Sequence, residues 1–299
     1  MRSPPSLWLG RLKVFPQYLA PQHLLSRVMF HLARTEKPWL SRRLIATLCR
    51  RYAIDLDEAA NPDPTSYPSL NAFFTRALRP GARPLPENDT AALVSPADGR
   101  VSQLGRIDGG QLVQAKGHRF SVEALLGADS LSASPFHGGA FATVYLAPHN
   151  YHRVHSPADC HVMEVVYVPG SLFSVNDRTA RVVPGLFARN ERVVLRCQSS
   201  SGDEFALVMV GAMLVGSMML EFCDLASLYR ARQHRTLRLG SGVTLTRGAE
   251  LGRFNMGSTV IMVHARNSMT WDPAIKPGDA VKVNQRLGAW ATGKDACAG

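Results

Sequence analysis

Ser258 directly follows Gly257 and opens the run Ser258-Thr259-Val260-Ile261-Met262-Val263. In a Gly-Ser pair the serine Oγ can reach the preceding carbonyl, and a residue without Cβ lets the backbone bend there at low cost. Attack of the Ser258 Oγ on the Gly257 carbonyl is an N→O acyl shift that turns the peptide into an ester. β-Elimination then breaks the chain between 257 and 258, and hydrolysis of the resulting dehydroalanine leaves a pyruvoyl group at position 258. Gly-Ser-Thr is also ordinary turn chemistry at the entrance to a strand. Scission therefore requires a base, and an acid to orient it.

Asn150-Tyr151-His152-Arg153-Val154-His155-Ser156-Pro157 supplies two histidines three residues apart, with an arginine between them. In an extended segment such positions point to opposite faces, which separates the duties of His152 and His155. A metal pair is the weaker reading, because no Cys or carboxylate stands nearby at ligand spacing. Asp98, in Ser95-Pro96-Ala97-Asp98-Gly99, is either an Asp-Gly turn or the acid that orients a histidine. Asp98, His155 and Ser258 make an Asp/His/Ser set, a kind recognised by geometry and not by chain order. A serine hydrolase built on the same three is disfavoured, since Ser258 lacks a Gly-x-Ser-x-Gly elbow.

These residues need a frame, and 299 residues with 45% hydrophobic content suffice for one large domain or two smaller ones. The net charge of +11 is unevenly placed: residues 1–52 hold ten Lys/Arg against the single acid Glu36. A basic end on a near-neutral body suggests an anionic surface as partner. Leu24, Leu25, Val28, Met29 and Leu32 predict one amphipathic helix, and Leu40, Leu44, Ile45, Leu48 and Tyr52 a second with Ser41 as cap. Arginines on the other faces, with Trp8, Phe15, Tyr18 and Trp39, point to an interfacial membrane anchor. A nucleic-acid arm would leave the apolar face unexplained, so no nucleic acid is expected. Five scattered cysteines (49, 160, 197, 223, 297) without a CxxC pair argue against zinc or a disulfide framework. The N-terminus shows no signal-peptide pattern.

Proline-rich turns follow from 61 to 86, interrupted by a short capped helix at 69–74, and the domain boundary is expected near 60. From 92 onward the pattern is β, with strands expected at 141–147, 161–168, 192–196 and 259–264. The stretch 205–220 carries no charge but is short for a spanning helix, and reads as buried strands joined by a turn. The tail 276–288 reads turn–strand–turn–strand and, with 96–101, resembles the hybrid barrels of lipoyl and biotinyl modules. No hairpin lysine is present to carry such a group. The expected class is α+β: a mostly β catalytic domain of hybrid barrel-sandwich-like sheets (61–299) behind an amphipathic helical region (1–60).

Taken together, Phe254-Asn255-Met256-Gly257-Ser258-Thr259-Val260-Ile261, Tyr151-His152-Arg153-Val154-His155, Ser95-Pro96-Ala97-Asp98-Gly99, Gln114-Ala115-Lys116-Gly117-His118, Leu172-Phe173-Ser174-Val175-Asn176 and Leu186-Phe187-Ala188-Arg189-Asn190-Glu191-Arg192 resemble, in order, the pyruvoyl-dependent phosphatidylserine decarboxylases of bacteria. Met256 stands where that family usually has leucine, and 222–246 is short beside it. The resemblance implies that Asp98 holds His155, and that His155 activates Ser258 for self-cleavage after Gly257. It implies a large chain, 1–257, and a small chain, 258–299, held by shared sheet, with a homodimer among the partners. The pyruvoyl cofactor at 258 would form a Schiff base with phosphatidylserine and serve as electron sink when CO₂ leaves, giving phosphatidylethanolamine. His152 would assist decarboxylation or reprotonation, and His118 would lie near the substrate. No metal is implied, and the expected location is peripheral, on the cytoplasmic side of the cell membrane. The competing readings are a non-catalytic lipid-binding relative and a decarboxylase of a soluble amino acid.

Overall fold

The structure, a computed structural model, describes residues 7–115, 117–214 and 217–291. Lys116 and Cys297 therefore lie outside the described residues, as do the side chains of Trp8 and Ser258.

The N-terminal region forms three helices, not two: α1 (Leu7–Leu19), α2 (Gln22–Ala33) and α3 (Pro38–Tyr52). Pro38 occupies the first turn of α3, where a missing N–H costs nothing, so the helix starts earlier than expected. Ser41 consequently does not cap it; the side chain is buried and its Oγ donates to the Pro38 carbonyl at 3.3 Å. Ala33 and Ile45 pack with Leu70 and Phe73 into a small core, against which Met256 also lies. Val14 is buried in the main body's core. The Gln17 and Gln22 side-chain oxygens accept the Ser174 and Leu172 N–H groups at 2.9 and 2.6 Å. The helices are thus docked on the body, while Phe15, Leu19, Leu24, Val28 and Trp39 remain exposed. The short helix Leu70–Phe74 is capped by Ser69, whose Oγ accepts the Ala72 N–H at 3.2 Å.

The body is dominated by an open, all-antiparallel eight-stranded sheet, so the α+β class stands but no closed barrel forms among the described residues. Its order is Arg235–Leu245, Cys160–Val168, Arg192–Ser199, Glu204–Val210, Ser258–His264, Ala140–Leu146, Gly99–Arg106 and Ala280–Val281. Ser258–His264 is interior, paired with Glu204–Val210 on one side and Ala140–Leu146 on the other. Val260 and Met262 enter one core, Ile261 and Val263 the opposite one. Burial on both faces explains why this strand reads as continuous hydrophobicity and not as alternation. The uncharged stretch resolves into Glu204–Val210 and the strand Met218–Leu220, and no helix among the described residues is long and apolar enough to cross a membrane.

At the far end of the central strand His264 is fully buried among Phe205, Trp271 and Trp290, and burial lowers its pKa to about 3. A neutral histidine in the fold takes up a proton on unfolding below about pH 6.5, so its contribution to stability declines as pH falls from there towards 3. Urea midpoints should therefore drop on acidification, and His264→Leu should flatten that slope between pH 6 and 4; an unchanged slope would discount the histidine.

Candidate functional site

The approach to the 257–258 bond is pinned from behind. The Phe254 N–H donates to the His152 carbonyl at 3.0 Å, at the end of a small sheet in which Glu250–Phe254 pairs with Arg153–His155. Asn255 is held by Ser217 twice, through its N–H to the Ser217 carbonyl at 2.9 Å and its Nδ2 to the Ser217 Oγ at 2.7 Å. The chain then turns through Met256 at φ 128°, a left-handed region that costs a non-glycine residue on the order of 1–3 kcal/mol. Gly257 itself is not left-handed, and a Cβ there would meet nothing within 4 Å. The strain expected at the glycine therefore falls one residue earlier. Beyond it, Ser258 enters the ladder opposite Leu146.

The Asn255 Oδ1 and the Thr259 Oγ1, which flank this bond in sequence, and the ring nitrogens of His152 are buried polar atoms without a hydrogen-bond partner among the described residues. Such atoms are expensive to leave unsatisfied, and the Asn255 and Thr259 oxygens leave room for a further polar group at 258.

His152 and His155 are separated as the extended spacing requires. His152 is fully buried, its ring stacked on Phe74 at 4.0 Å; burial, then the charge of Arg76, takes its pKa down to about 3 and keeps it neutral. His155 is partly buried, with Nδ1 2.8 Å from the Gly248 carbonyl and Nε2 3.0 Å from the Tyr151 hydroxyl. The carbonyl can only accept, so Nδ1 carries the proton and Nε2 is the basic nitrogen, accepting from Tyr151. Burial lowers the His155 pKa, opposed by the Gly248 bond and by the negative charges of Glu250 and Asp98.

Asp98 lies beside His155, whose N–H donates to the Pro96 carbonyl at 2.8 Å, but its carboxylate is engaged elsewhere. Oδ1 accepts Arg83 Nε at 2.9 Å and the Val283 N–H at 2.8 Å, and Oδ2 accepts Arg83 Nη2. The structure thus brings Asp98 and His155 into one neighbourhood without a side-chain hydrogen bond between them. Gly99 permits this placement, because a Cβ there would collide with the Tyr145 carbonyl oxygen. His118 sits on the hairpin Gln111–Ala115/His118–Ser121 with Nε2 3.1 Å from the Arg181 carbonyl, and is not among the residues lining the cavity described next.

A cavity of about 1100 Å³ opens between α2 and the segment 217–232. His23, Arg27 and Arg34 border it from the helix side, Arg230 and Arg232 from the other. It reaches Ser217, the anchor of Asn255, and so comes within three residues of Ser258. Pattern reading does not single out Tyr151 and Arg83, which bond to His155 and Asp98, or the cavity-facing Glu191. Tyr151 and Glu191 stand inside recognised blocks but have no local signal of their own, and Arg83 lies in a proline-rich loop 15 residues from its partner.

A family model described as phosphatidylserine decarboxylase matches residues 70–289, and a second, described as PSD, matches 12–53. The chain belongs to the phosphatidylserine decarboxylase family. It is 47% identical over 282 residues to the phosphatidylserine decarboxylase proenzyme of Ectopseudomonas mendocina, covering 93% of this chain and 98% of that one. The proenzyme of Alcanivorax borkumensis is 47% identical over 281 residues (94% and 96%), and that of Bordetella pertussis 49% over 259 residues (85% and 86%). With these relatives the chain is a carboxy-lyase of phospholipid metabolism, and the relatives' printed names mark them as precursors that are processed.

In a proenzyme cut at the neighbouring 257–258 bond, the strain at Met256 would raise the ground state of the segment under attack. Met256→Gly should slow scission by roughly tenfold, the equivalent of about 1.4 kcal/mol. Met256→Leu, which keeps the volume and the strain, should leave the rate within about twofold. Equal rates for both variants in a time course on denaturing gels would remove strain from the account.

Proposed function

We propose that this protein decarboxylates phosphatidylserine to phosphatidylethanolamine through a pyruvoyl group that the chain makes from Ser258 by cutting itself after Gly257. The observation that carries the reading is the contact between the arginine-bordered cavity and the strained segment: Ser217 lines the one and ties down the other. His155 takes the Ser258 Oγ proton at Nε2 once the Tyr151 hydroxyl releases that lone pair, with Nδ1 fixed on the Gly248 carbonyl and Asp98 adding negative charge beside the ring. The pyruvoyl group would supply a ketone for the substrate amine and an electron sink as CO₂ departs. His152, held neutral by burial, moves a proton at the substrate α-carbon. The large chain, 1–257, and the small chain, 258–299, stay joined, because the central strand keeps both of its neighbours. His118 and a homodimer are kept as secondary proposals, the former for substrate contact.

Intact mass measurement tests the first step by looking for a 258–299 fragment with a blocked N-terminus. Release of CO₂ and phosphatidylethanolamine from added phosphatidylserine tests the second. A single full-length species without activity would favour a lipid-binding relative, and turnover of free serine a soluble decarboxylase.

We place the enzyme on the cytoplasmic face of the cell membrane, peripherally. A two-tailed lipid leaves a bilayer at a cost of roughly 0.8 kcal/mol per CH₂, so the protein must come to the lipid. The exposed apolar residues of α1 and α2, beside basic side chains worth on the order of 1 kcal/mol each near anionic lipid, suit that task. Removing 1–52 would also strip Val14, Ala33 and Ile45 from buried positions, so point changes are the cleaner probe. Phe15→Ser, Leu19→Ser, Leu24→Ser and Val28→Ser combined should lower activity on anionic vesicles at least about tenfold while leaving detergent-dispersed lipid within about twofold. Equal losses on both would count against the anchor.

A further inference from the structure

Glu191 faces the cavity between α2 and the segment 217–232. Its neighbour Arg192 pairs with Val210, and Val210 with Thr259, so these three form one row across the sheet. Continuing that register one residue outward aligns Glu191, Gly211 and position 258, and the Gly211 N–H donates to the Glu191 carbonyl at 2.8 Å. Two strand spacings, about 10 Å, therefore separate Glu191 from Ser258 along one row. Positions in a row share a face of the sheet, which puts Glu191 on the cavity's side.

The carboxyl group is short of positive charge. The Tyr167 hydroxyl lies beside it, Arg232 acts on it from a distance, and no ion pair engages it among the described residues. Burial raises its pKa in spite of both neighbours. The rest of the cavity wall carries Arg27, Arg34, Arg230 and Arg232, suited to the phosphate and carboxylate of a serine phospholipid, beside two exposed acids, Glu221 and Asp224. Glu221 is paired with Arg253 and Asp224 accepts the Ala226 N–H, which leaves Glu191 as the lining acid with neither kind of partner among the described residues, and an ammonium is what an under-compensated carboxylate would accept.

We propose that Glu191 is the residue that recognises the substrate's ammonium group, and so distinguishes serine phospholipids from anionic lipids without an amine. The inference rests on the phosphatidylserine reading of the cavity. It is tested on full-length Ser258→Ala protein, which cannot mature, so binding is read without turnover. The probes are water-soluble dihexanoyl phosphatidylserine and the same lipid with its amine acetylated.

The Ser258→Ala protein should bind the free-amine lipid about tenfold more tightly than the acetylated one, about 1.4 kcal/mol. Adding Glu191→Gln should erase that preference while the acetylated lipid binds as before. A preference that survives Glu191→Gln, or an equal loss for both lipids, overturns the assignment. Should the Gln variant fail to fold by thermal melt, Glu191→Asp withdraws the carboxylate by one methylene and should cut the preference to about threefold; an undiminished preference there is equally fatal. No binding of either lipid by the Ser258→Ala protein would instead overturn the cavity reading, and this inference with it.

Discussion

Ser258→Ala should accumulate as one uncut chain of 299 residues, with no 258–299 fragment and no release of CO₂ from phosphatidylserine. A methyl group cannot attack the Gly257 carbonyl, so neither the ester nor the prosthetic ketone can form. The effect is on chemistry and not on folding, because position 258 keeps its backbone pairing opposite Leu146. Ser258→Thr separates the two explanations: it restores a hydroxyl at the same place and should restore slow scission, whereas a folding defect would not be rescued. Detection of a small fragment from the Ala variant would end the self-cleavage account.

His155→Ala should slow scission by about 10²–10⁴-fold, the usual contribution of a positioned base. Tyr151→Phe removes only the hydroxyl that occupies Nε2, a bond worth about 1 kcal/mol that must be released before proton transfer, and should raise the rate by roughly fivefold. Both are read as the half-time of the full-length band after synthesis. Scission of the His155 variant at the wild-type rate would strip the imidazole of its role. His155 has its pKa lowered chiefly by burial, so the base is neutral above its depressed pKa. Scission should thus fall off only on the acid side, at a pH below the ordinary histidine value.

Much of the fold was legible beforehand, wherever a residue's neighbours in sequence decide its environment. The strands at 141–147, 161–168 and 259–264 emerge within a residue of their expected limits, since runs of β-branched and apolar residues bounded by turns have one economical use. The cap of the helix Leu70–Phe74 was equally visible, because Ser69 acts on a group three residues away. The region 1–52 reads as helical, but α1 does not stand out in it as a separate helix, its pattern being interrupted by Pro16. The site was legible as a set of residue types and motif blocks, but not as a set of bonds. Nothing local tells that Asp98 is taken by Arg83 and the Val283 N–H, or that His155 is held by a carbonyl at Gly248 93 residues away.

The sequence by itself determined the family, the presence of the Gly257-Ser258 pair at which self-cleavage is proposed, and the basic, amphipathic character of its first 52 residues, because each rests on residue type and spacing. Tertiary structure alone decided that the strain sits at Met256, that Ser217 joins the approach segment to an arginine-bordered cavity, and that Glu191 lines this same cavity. The reason is physical: backbone strain, cavities and strand register arise from contacts between segments far apart in the chain, and those contacts exist only once the sheet has closed around its central strand.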